Sequence, residues 1–318
     1  MLSAYPLIPE EDEAGPTATW IDLVNPSEDE IAQAAALFGA PIPTFDELSE
    51  IETSSRLRAR GVRLFLSTPI ITGSDTKTPE IAPLGFLLSP TLLVTVRYAP
   101  SKAFDTVINE CGQVQDLTAE EAFIRLLEEI VDRQADHLER IGAELEHISR
   151  KTFARASSRG GAGPLNNTAL RLILAALGSA GDRLSMTRDG LLGIGRITPF
   201  VMERGHACVC EPEHQQRLNA IRSDVTSLDD YESHLSDKTQ FLLDAVLGLI
   251  NVAQNDIFKV LTIVSVVGIP PTLIASMYGM NFVHMPELQW HYGYPYALGL
   301  IVVSTLIPLA WFKWRGWM

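Results

Sequence analysis

From Val260 to Met280 the chain reads VLTIVSVVGIPPTLIASMYGM, with no charged side chain along the run. As a helix rising ~1.5 Å per residue it covers ~30 Å, the thickness of a bilayer's hydrocarbon core. A second charge-free run, GYPYALGLIVVSTLIPLAWF, extends from Gly293 to Phe312. Only the short segment NFVHMPELQWHY joins the two. The economical reading is a pair of membrane helices, 259–281 and 293–312, with a tight external loop over 282–292. Two buried core helices of a soluble protein are the alternative, but such helices seldom run this long without a charge.

Flanking charge sets the orientation. Lys259 precedes the first run and Lys313 and Arg315 follow the second, whereas the joining loop holds no Lys or Arg, only Glu287. By the positive-inside rule both ends face the cytoplasm and the loop faces out. Trp290, Tyr292, Tyr294 and Tyr296 gather at the outer boundary, and Trp311, Trp314 and Trp317 at the inner one, as two aromatic belts. The expected location is the cell (inner) membrane, multi-pass, with both termini cytoplasmic and a basic tail over 313–318.

The chain has 318 residues and a net charge of −14, which argues against a nucleic-acid partner and suits an assembly that gathers cations. MLSAYPLIPEEDEAG lacks the basic start and apolar run of a signal peptide, so the two late spans are the expected insertion signal. The three cysteines, Cys111, Cys208 and Cys210, suggest no disulfide framework, as expected for a reducing compartment.

Outward from the spans, the rest of the chain reads as a cytoplasmic body. The acidic, Pro-containing first ~15 residues read as a loose arm. Thr19 to Val24 alternates as a strand and ends at Asn25-Pro26; Ser27 with Glu30 then forms a capping box for a helix to Gly39. A short helix is expected over Thr44 to Ser49. Strand patterns follow at 62–66, 70–71, 81–88 and 91–98, punctuated by Gly61, Gly73-Ser74-Asp75 and Ser89-Pro90, with a helix from Ser101. This is a small α/β module over 1–115, with helices flanking a mixed or antiparallel sheet.

A helical hairpin over 116–205 comes next. Its first helix carries an apolar stripe of Phe123, Leu126, Leu127, Ile130, Val131, Leu138, Ile141, Leu145 and Ile148. SSRGGAGP at 157–164 turns the chain back into a second helix through Leu170, Leu174, Leu177 and Leu184. After a break near Gly205, no proline interrupts the stretch from Glu213 until Pro270. A helix to Met280 would exceed ~100 Å, too long to hide in a globular monomer of this size. It reads as a stalk (206–258) continuing into the first span, with an apolar face that meets other stalks. Two spans per subunit cannot enclose an ion path alone, so the chain is expected to be a homo-oligomer in membrane lipid.

Tyr278-Gly279-Met280-Asn281, followed by Met285-Pro286-Glu287-Leu288 and Gly293-Tyr294-Pro295, resembles the signature of CorA-type magnesium transporters. The ending Phe312-Lys313-Trp314-Arg315-Gly316-Trp317 is similar to that family's basic, Trp-containing terminus. The likeness is dense over about 240–318 and architectural before it. It implies an α+β cytoplasmic domain, a long stalk helix and two C-terminal spans in a funnel-shaped homopentamer. The implied activity is passive, electrochemically driven transport of Mg²⁺, with Co²⁺ and Ni²⁺ as further cargo, regulated by cytoplasmic Mg²⁺ bound between subunits. Mg²⁺ is then substrate and regulatory ligand, and no cofactor is expected.

Mg²⁺ holds its waters tightly, so a pore need only offer oxygens that accept hydrogen bonds from them. Gly279, Met280 and Asn281 form the expected filter, with the Asn281 amide as a ring at the mouth, although Gly and Asn also end ordinary helices. Stepping back by three and four residues gives a pore-facing stripe of Ser276, Thr272, Ile269, Ser265, Leu261 or Thr262, Phe258 and Asn255. The polar members can accept water; Ile269, Leu261 and Phe258 can close by dewetting. The plainer reading of each mid-span hydroxyl is a bond to its own helix at i−4. Pro270-Pro271 marks a local distortion or a static kink. Asp244, matching an Asp near the family's pore axis, is expected as an inner-mouth ring, and Glu287 as the loop's external acid. Asp224, Asp229, Asp230 and Asp237 make the stalk acidic, and the first three are candidate Mg²⁺ sensors.

His206, Cys208, Cys210 and His214 place soft ligands together that could hold Zn²⁺, but Cys-x-Cys fits one tetrahedral site poorly and the stretch reads as a helix junction. No GxxxxGK[ST] loop supports a nucleotide-driven pump, and no catalytic constellation stands out, so the chain is not expected to be an enzyme. A zinc transporter of the same superfamily is the runner-up, kept open by Gln289 and His291. A membrane-anchored scaffold is the remote alternative, because an anchor has no need of an Asn-terminated, Ser/Thr-lined span.

Overall fold

The computed structural model describes residues 1–5, 18–50, 52, 56–73, 79–111, 117–157, 167–209, 211–280 and 285–317. These fall into two compact units, 1–159 with 171–243, and 160–170 with 244–318.

The first unit is built on a six-stranded sheet in the order β1-β2-β6-β5-β4-β3. The strands are β1 (Leu2–Tyr5), β2 (Trp20–Val24), β3 (Leu57–Arg60), β4 (Arg63–Thr72), β5 (Glu80–Leu88) and β6 (Leu93–Arg97). Only β2 and β6 pair in parallel; all other neighbours are antiparallel. Two expectations change here. The start of the presumed loose arm is an edge strand, because Leu2 to Tyr5 take up the free edge of β2 opposite Leu23 to Trp20. The two short strand patterns at 62–66 and 70–71 are one strand, carried straight through Pro69. Pro69 faces Pro83 of β5, beyond the last pairs of β3 with β4 and of β6 with β5. The missing N–H groups therefore remove no bond to either outer neighbour.

Two helices cover one face of the sheet. Helix α1 (Glu28–Phe38) starts at a Ser27–Glu30 capping box and stops at Gly39, whose φ of 71° suits a residue without Cβ. Helix α2 (Phe45–Ser49) has its own box, Thr44 with Glu47. Ile21, Leu23, Phe38, Leu48, Phe65, Leu87, Val94 and Val96 form the core beneath them. On the opposite face Trp20 meets Phe104 of α3 (Lys102–Cys111), and Phe86 meets Phe123 of α4 (Ala119–Ser157) edge-on at 5.4 Å. That face also buries an ion pair. Arg97 donates to Asp22 at 2.9 Å, Thr95 donates to the same carboxylate at 2.7 Å, and Arg97 stacks over Phe104 at 4.7 Å.

Helix α4 buries every member of the apolar stripe read from its sequence. Helix α5 (Asn167–Arg204) buries Leu170, Leu177 and Leu184, but its stripe passes through Ile173 rather than Leu174, which is half-buried. It lies tight on β4 through glycines: a Cβ on Gly193 would stand 2.0 Å from Thr68 Oγ1.

Helix α6 (Pro212–Tyr278) is a single helix of 67 residues with Pro270 and Pro271 inside it. The chain ends in a short 3₁₀ turn (Pro286–Gln289) and helix α7 (Gly293–Trp314). The apolar segments of α6 and α7 are long enough to cross a membrane and almost wholly unburied. Gly316, with φ 71°, closes α7 so that Trp317 donates its N–H to the Phe312 carbonyl and stacks on the Phe312 ring. Lys313 thus lies in the last turn of α7, and the tail folds back on its own helix.

Candidate ion path and the acidic stretch of helix α6

The residues stepped back from the Gly-Met motif all lie on one continuous helix, where periods of three and four keep them on one side. Asn255, Phe258, Leu261, Thr262, Ile269, Thr272 and Ser276 are exposed, and Ser265 is half-buried. Phe258, Leu261 and Ile269 each leave about 60% of their surface uncovered. Side chains this apolar stay uncovered only against lipid or against other copies of the helix.

Two of the hydroxyls follow the plainer reading. Thr262 donates to the Phe258 carbonyl and Thr272 to the Gly268 carbonyl, both at 2.8 Å. This does not disqualify them as water acceptors. With the proton spent on the backbone, each oxygen presents only lone pairs, and water bound to a dication presents only protons. The Thr272 bond also uses a carbonyl two residues before Pro270, next to the stretch where prolines remove helix donors.

At the outer end Gly279 donates to the Ala275 carbonyl at 3.0 Å and Met280 to the Met277 carbonyl at 3.3 Å, so the helix tightens there. Gly279 does not take a left-handed backbone; what it lacks is a Cβ, which would stand 3.2 Å from the Ala275 oxygen. Asn281 and the side chain of Glu287 lie outside the described residues.

At the inner end Asp244 is exposed. Beside the stripe, Lys259 donates to Asp256 at 3.1 Å, a pair the sequence reading missed although its i,i+3 spacing marks it.

Further back along α6 the acids diverge. Asp224 is exposed and faces α4, where Asp132 has its carboxyl pushed up by partial burial, then by the charges of Glu129, Asp224, Glu128 and Asp136. Asp230 is exposed, whereas Asp229 is half-buried with one carboxylate oxygen sealed from solvent and unpartnered among the described residues. Glu232, not singled out from the sequence, is 2% exposed. Burial raises its carboxyl, the Arg188 guanidinium at 3.4 Å opposes that, and Asp229 and Asp237 raise it further.

The start of α6 is pinned to the start of α4. Arg217 forks onto Glu128 at 2.8 and 2.6 Å and reaches Glu121 at 2.6 Å. His214 stands between two carboxylates, with Nε2 2.9 Å from Glu121 and Nδ1 2.8 Å from Glu120, the latter off the line of a hydrogen bond. Of the residues named for the zinc reading, His206, Cys208, Cys210 and His214, this engages His214 elsewhere. Cys208 points its thiol at the Val62 carbonyl, 3.0 Å away, His206 is exposed, and Cys210 lies outside the described residues. Among the described residues no group of His, Cys, Asp or Glu is arranged to hold a metal ion.

Three comparisons bear on this geometry. The family described as CorA-like Mg²⁺ transporter protein matches residues 16–314. The magnesium transport protein CorA of Haemophilus influenzae (strain ATCC 51907 / DSM 11121 / KW20 / Rd) is 30% identical over 305 residues, 95% of this chain and 93% of that protein. That of Haemophilus ducreyi is 32% identical over 304 residues, 95% of this chain and 92% of that protein. That of Escherichia coli (strain K12) is 31% identical over 312 residues, 97% and 95% of the two. Among solved structures, the complete CorA magnesium transporter from Methanocaldococcus jannaschii superposes with a TM-score of 0.72 at 20% identity, covering 100% of this chain and 98% of that one. The full-length CmaX protein superposes with a TM-score of 0.68 at 17% identity, covering 96% and 90%. The α+β body, the long helix and the apolar C-terminal helix are the fold of these structures. The chain belongs to the CorA-like Mg²⁺ transporter family, a family of membrane ion transporters and not of enzymes.

Proposed function

We propose that this protein carries hydrated Mg²⁺ across the cell membrane, down its electrochemical gradient, as a homopentamer with five α6 helices around one axis. The observation that carries the reading is α6 itself. One uninterrupted helix leads from the acidic stretch, through Asp244 and the Asn255-to-Ser276 stripe, to the Tyr278-Gly279-Met280 end of the first span. Both termini face the cytoplasm, since Lys259, Lys313 and Arg315 flank the spans and the loop carries no Lys or Arg.

In this arrangement the Asn281 amides ring the outer mouth and accept hydrogen bonds from the ion's waters, with Gly279 and Met280 holding the turn. Glu287 repeats as a screened external attractor. Thr272, Ser265, Thr262 and Asn255 offer further oxygens, while Ile269, Leu261 and Phe258 form apolar rings that close by dewetting. Asp244 concentrates cations at the inner mouth. Co²⁺ and Ni²⁺, of similar size and hydration, follow the same route. Cytoplasmic Mg²⁺ held by Asp224, Asp229 and Asp230 favours the closed state.

The test is metal flux into liposomes containing only this protein, with Mg²⁺ and Zn²⁺ compared under an inward gradient. Mg²⁺ entry that needs no nucleotide and exceeds Zn²⁺ entry supports the reading. Preferential Zn²⁺ entry moves the protein to the zinc-carrying reading, and no entry of either ion refutes transport.

A further inference from the structure

The edge strand β3 and the start of β4 concentrate positive charge on an acidic chain. Arg56, Arg58, Arg60 and Arg63 fall within eight residues, and the sequence from 53 to 74 holds no Asp or Glu. Alternation puts Arg58 and Arg60 on one side of β3, and the pairing of Arg58 with Phe65 makes it the side covered by α1 and α2. There the two arginines line a cavity of about 170 Å³, together with Phe65, Glu47 of α2 and the segment Pro41 to Pro43. Charge on an edge strand deters pairing with other strands. That role needs neither a cavity nor a half-buried guanidinium, and Arg58 is half-buried.

Arg58 makes no ion pair or hydrogen bond among the described residues, and neither does Arg60. Arg60 lies over the Phe65 ring, 5.9 Å from its centre, which orients the guanidinium and leaves its N–H groups for another acceptor. Arg63, opposite Arg60, lies instead over Phe38 of α1 at 5.7 Å. Glu47, the acid on the lining, accepts from the Thr44 N–H at 2.9 Å in its capping box. Arg56 lines the smaller space alongside, where burial and then the Arg196 charge oppose its ionised form, with Asp189 working against them. A guanidinium withdrawn from water without a counter-ion is costly, so this groove is short of negative charge.

We propose that this cavity is a binding site for a small phosphate monoester. The phosphate lies between Arg58 and Arg60, whose planar guanidinium forks match its oxygens in pairs. The organic part, held to a compact group by the volume, lies against Phe65 and the prolines. A carboxylate offers one charge and two oxygens where the phosphate offers two charges and three oxygens, so it answers the two arginines less well. The site belongs to the soluble unit and stands whichever ion the protein carries.

The test uses the full-length protein in phosphatidylcholine nanodiscs without Mg²⁺, with empty nanodiscs subtracted, and three probes: phenyl phosphate, benzoate and the neutral phenol. Saturation-transfer NMR titrations on the ring protons should show saturable binding of phenyl phosphate, displaced by inorganic phosphate. Benzoate should bind severalfold more weakly, and phenol should show no saturable binding. Arg60→Gln, an exposed position, should weaken phenyl phosphate severalfold, and Arg58→Gln should weaken it further. Arg140→Gln, exposed on α4, should leave it unchanged. Should Arg58→Gln not fold, Arg60→Gln, Arg140→Gln and the probe series decide alone. Absence of saturable phenyl phosphate binding to the wild-type protein overturns the proposal. So does benzoate or phenol binding as tightly as phenyl phosphate, or an affinity that Arg60→Gln alters no more than Arg140→Gln.

Discussion

Arg97 and Asp22 show what one residue contributes to this fold. Both are almost fully buried, their side chains 6% and 1% exposed, and each satisfies the other. Such a pair adds little net stability over an apolar one, but removing one partner strands the other charge at a cost of ~3–5 kcal/mol. Arg97→Met should therefore lower the unfolding free energy of the soluble unit by about that amount, read from chemical denaturation of full-length protein. Replacing both, as Asp22→Leu with Arg97→Met, should recover most of the loss. A single variant as stable as wild type would mean that Thr95 alone satisfies Asp22. Asp22 was legible only as a polar position in an alternating strand, because its partner lies 75 residues away on a parallel neighbour. At the other end of the chain, Asn281 is the residue on which the transport reading turns. Asn281→Ala should abolish Mg²⁺ influx and leave the oligomer intact on size-exclusion chromatography. Wild-type flux from the assembled variant would remove the filter assignment.

Among the elements, α6 begins on a charged clasp. Burial works against the ionised form of Glu121, but the bonds from Arg125 and Arg217 outweigh it and hold its carboxyl below the ordinary value of 4.5. A carboxylate depressed on folding stabilises the protein above its unfolded pKa, and that contribution disappears as pH falls through the folded value. Wild type should thus lose thermal stability steeply below about pH 4.5, and Arg217→Met, already lacking the clasp, should lose less over the same interval. Parallel pH profiles for the two proteins would show that the clasp does not set the acid limb. The helices themselves were plain in the sequence, since apolar spacing on α4 and the proline-free run of α6 name their own periods. The sheet was less so. A strand carried through Pro69 reads as two, and only the finding that β3 and β6 both stop short explains why the proline is harmless. The Arg217 and His214 contacts join helix starts some ninety residues apart, a distance that no local pattern reports.

At the scale of the whole molecule the proposed sensing of the transported ion rests on the excess of acid. With a net charge of −14 per chain, the proposed symmetric assembly would bring like charges together around its axis. Asp224 already raises the carboxyl of Asp132 within one subunit, so this stretch carries unrelieved repulsion before any neighbour arrives. Each further close pair adds on the order of 1 kcal/mol at ~4 Å in water. Mg²⁺ between such carboxylates reverses the sign of that term and favours a tighter, symmetric closed state. A ligand shifts an equilibrium only by its differential affinity for the two states, so several weak sites must act together. Uptake should fall as internal Mg²⁺ rises, and replacing Asp224, Asp229 and Asp230 together by Asn should move the midpoint of that inhibition upward several-fold while leaving maximal flux in place. The structure sharpens the expectation within the triad. Asp229 is half-buried and Asp224 and Asp230 are exposed, so the Asp224→Asn, Asp230→Asn double variant should reproduce most of the effect. Inhibition of the triple variant at the wild-type midpoint would place the sensor elsewhere, and the repulsion between Asp224 and Asp132 would then be no more than a local cost to the packing of α4 against α6.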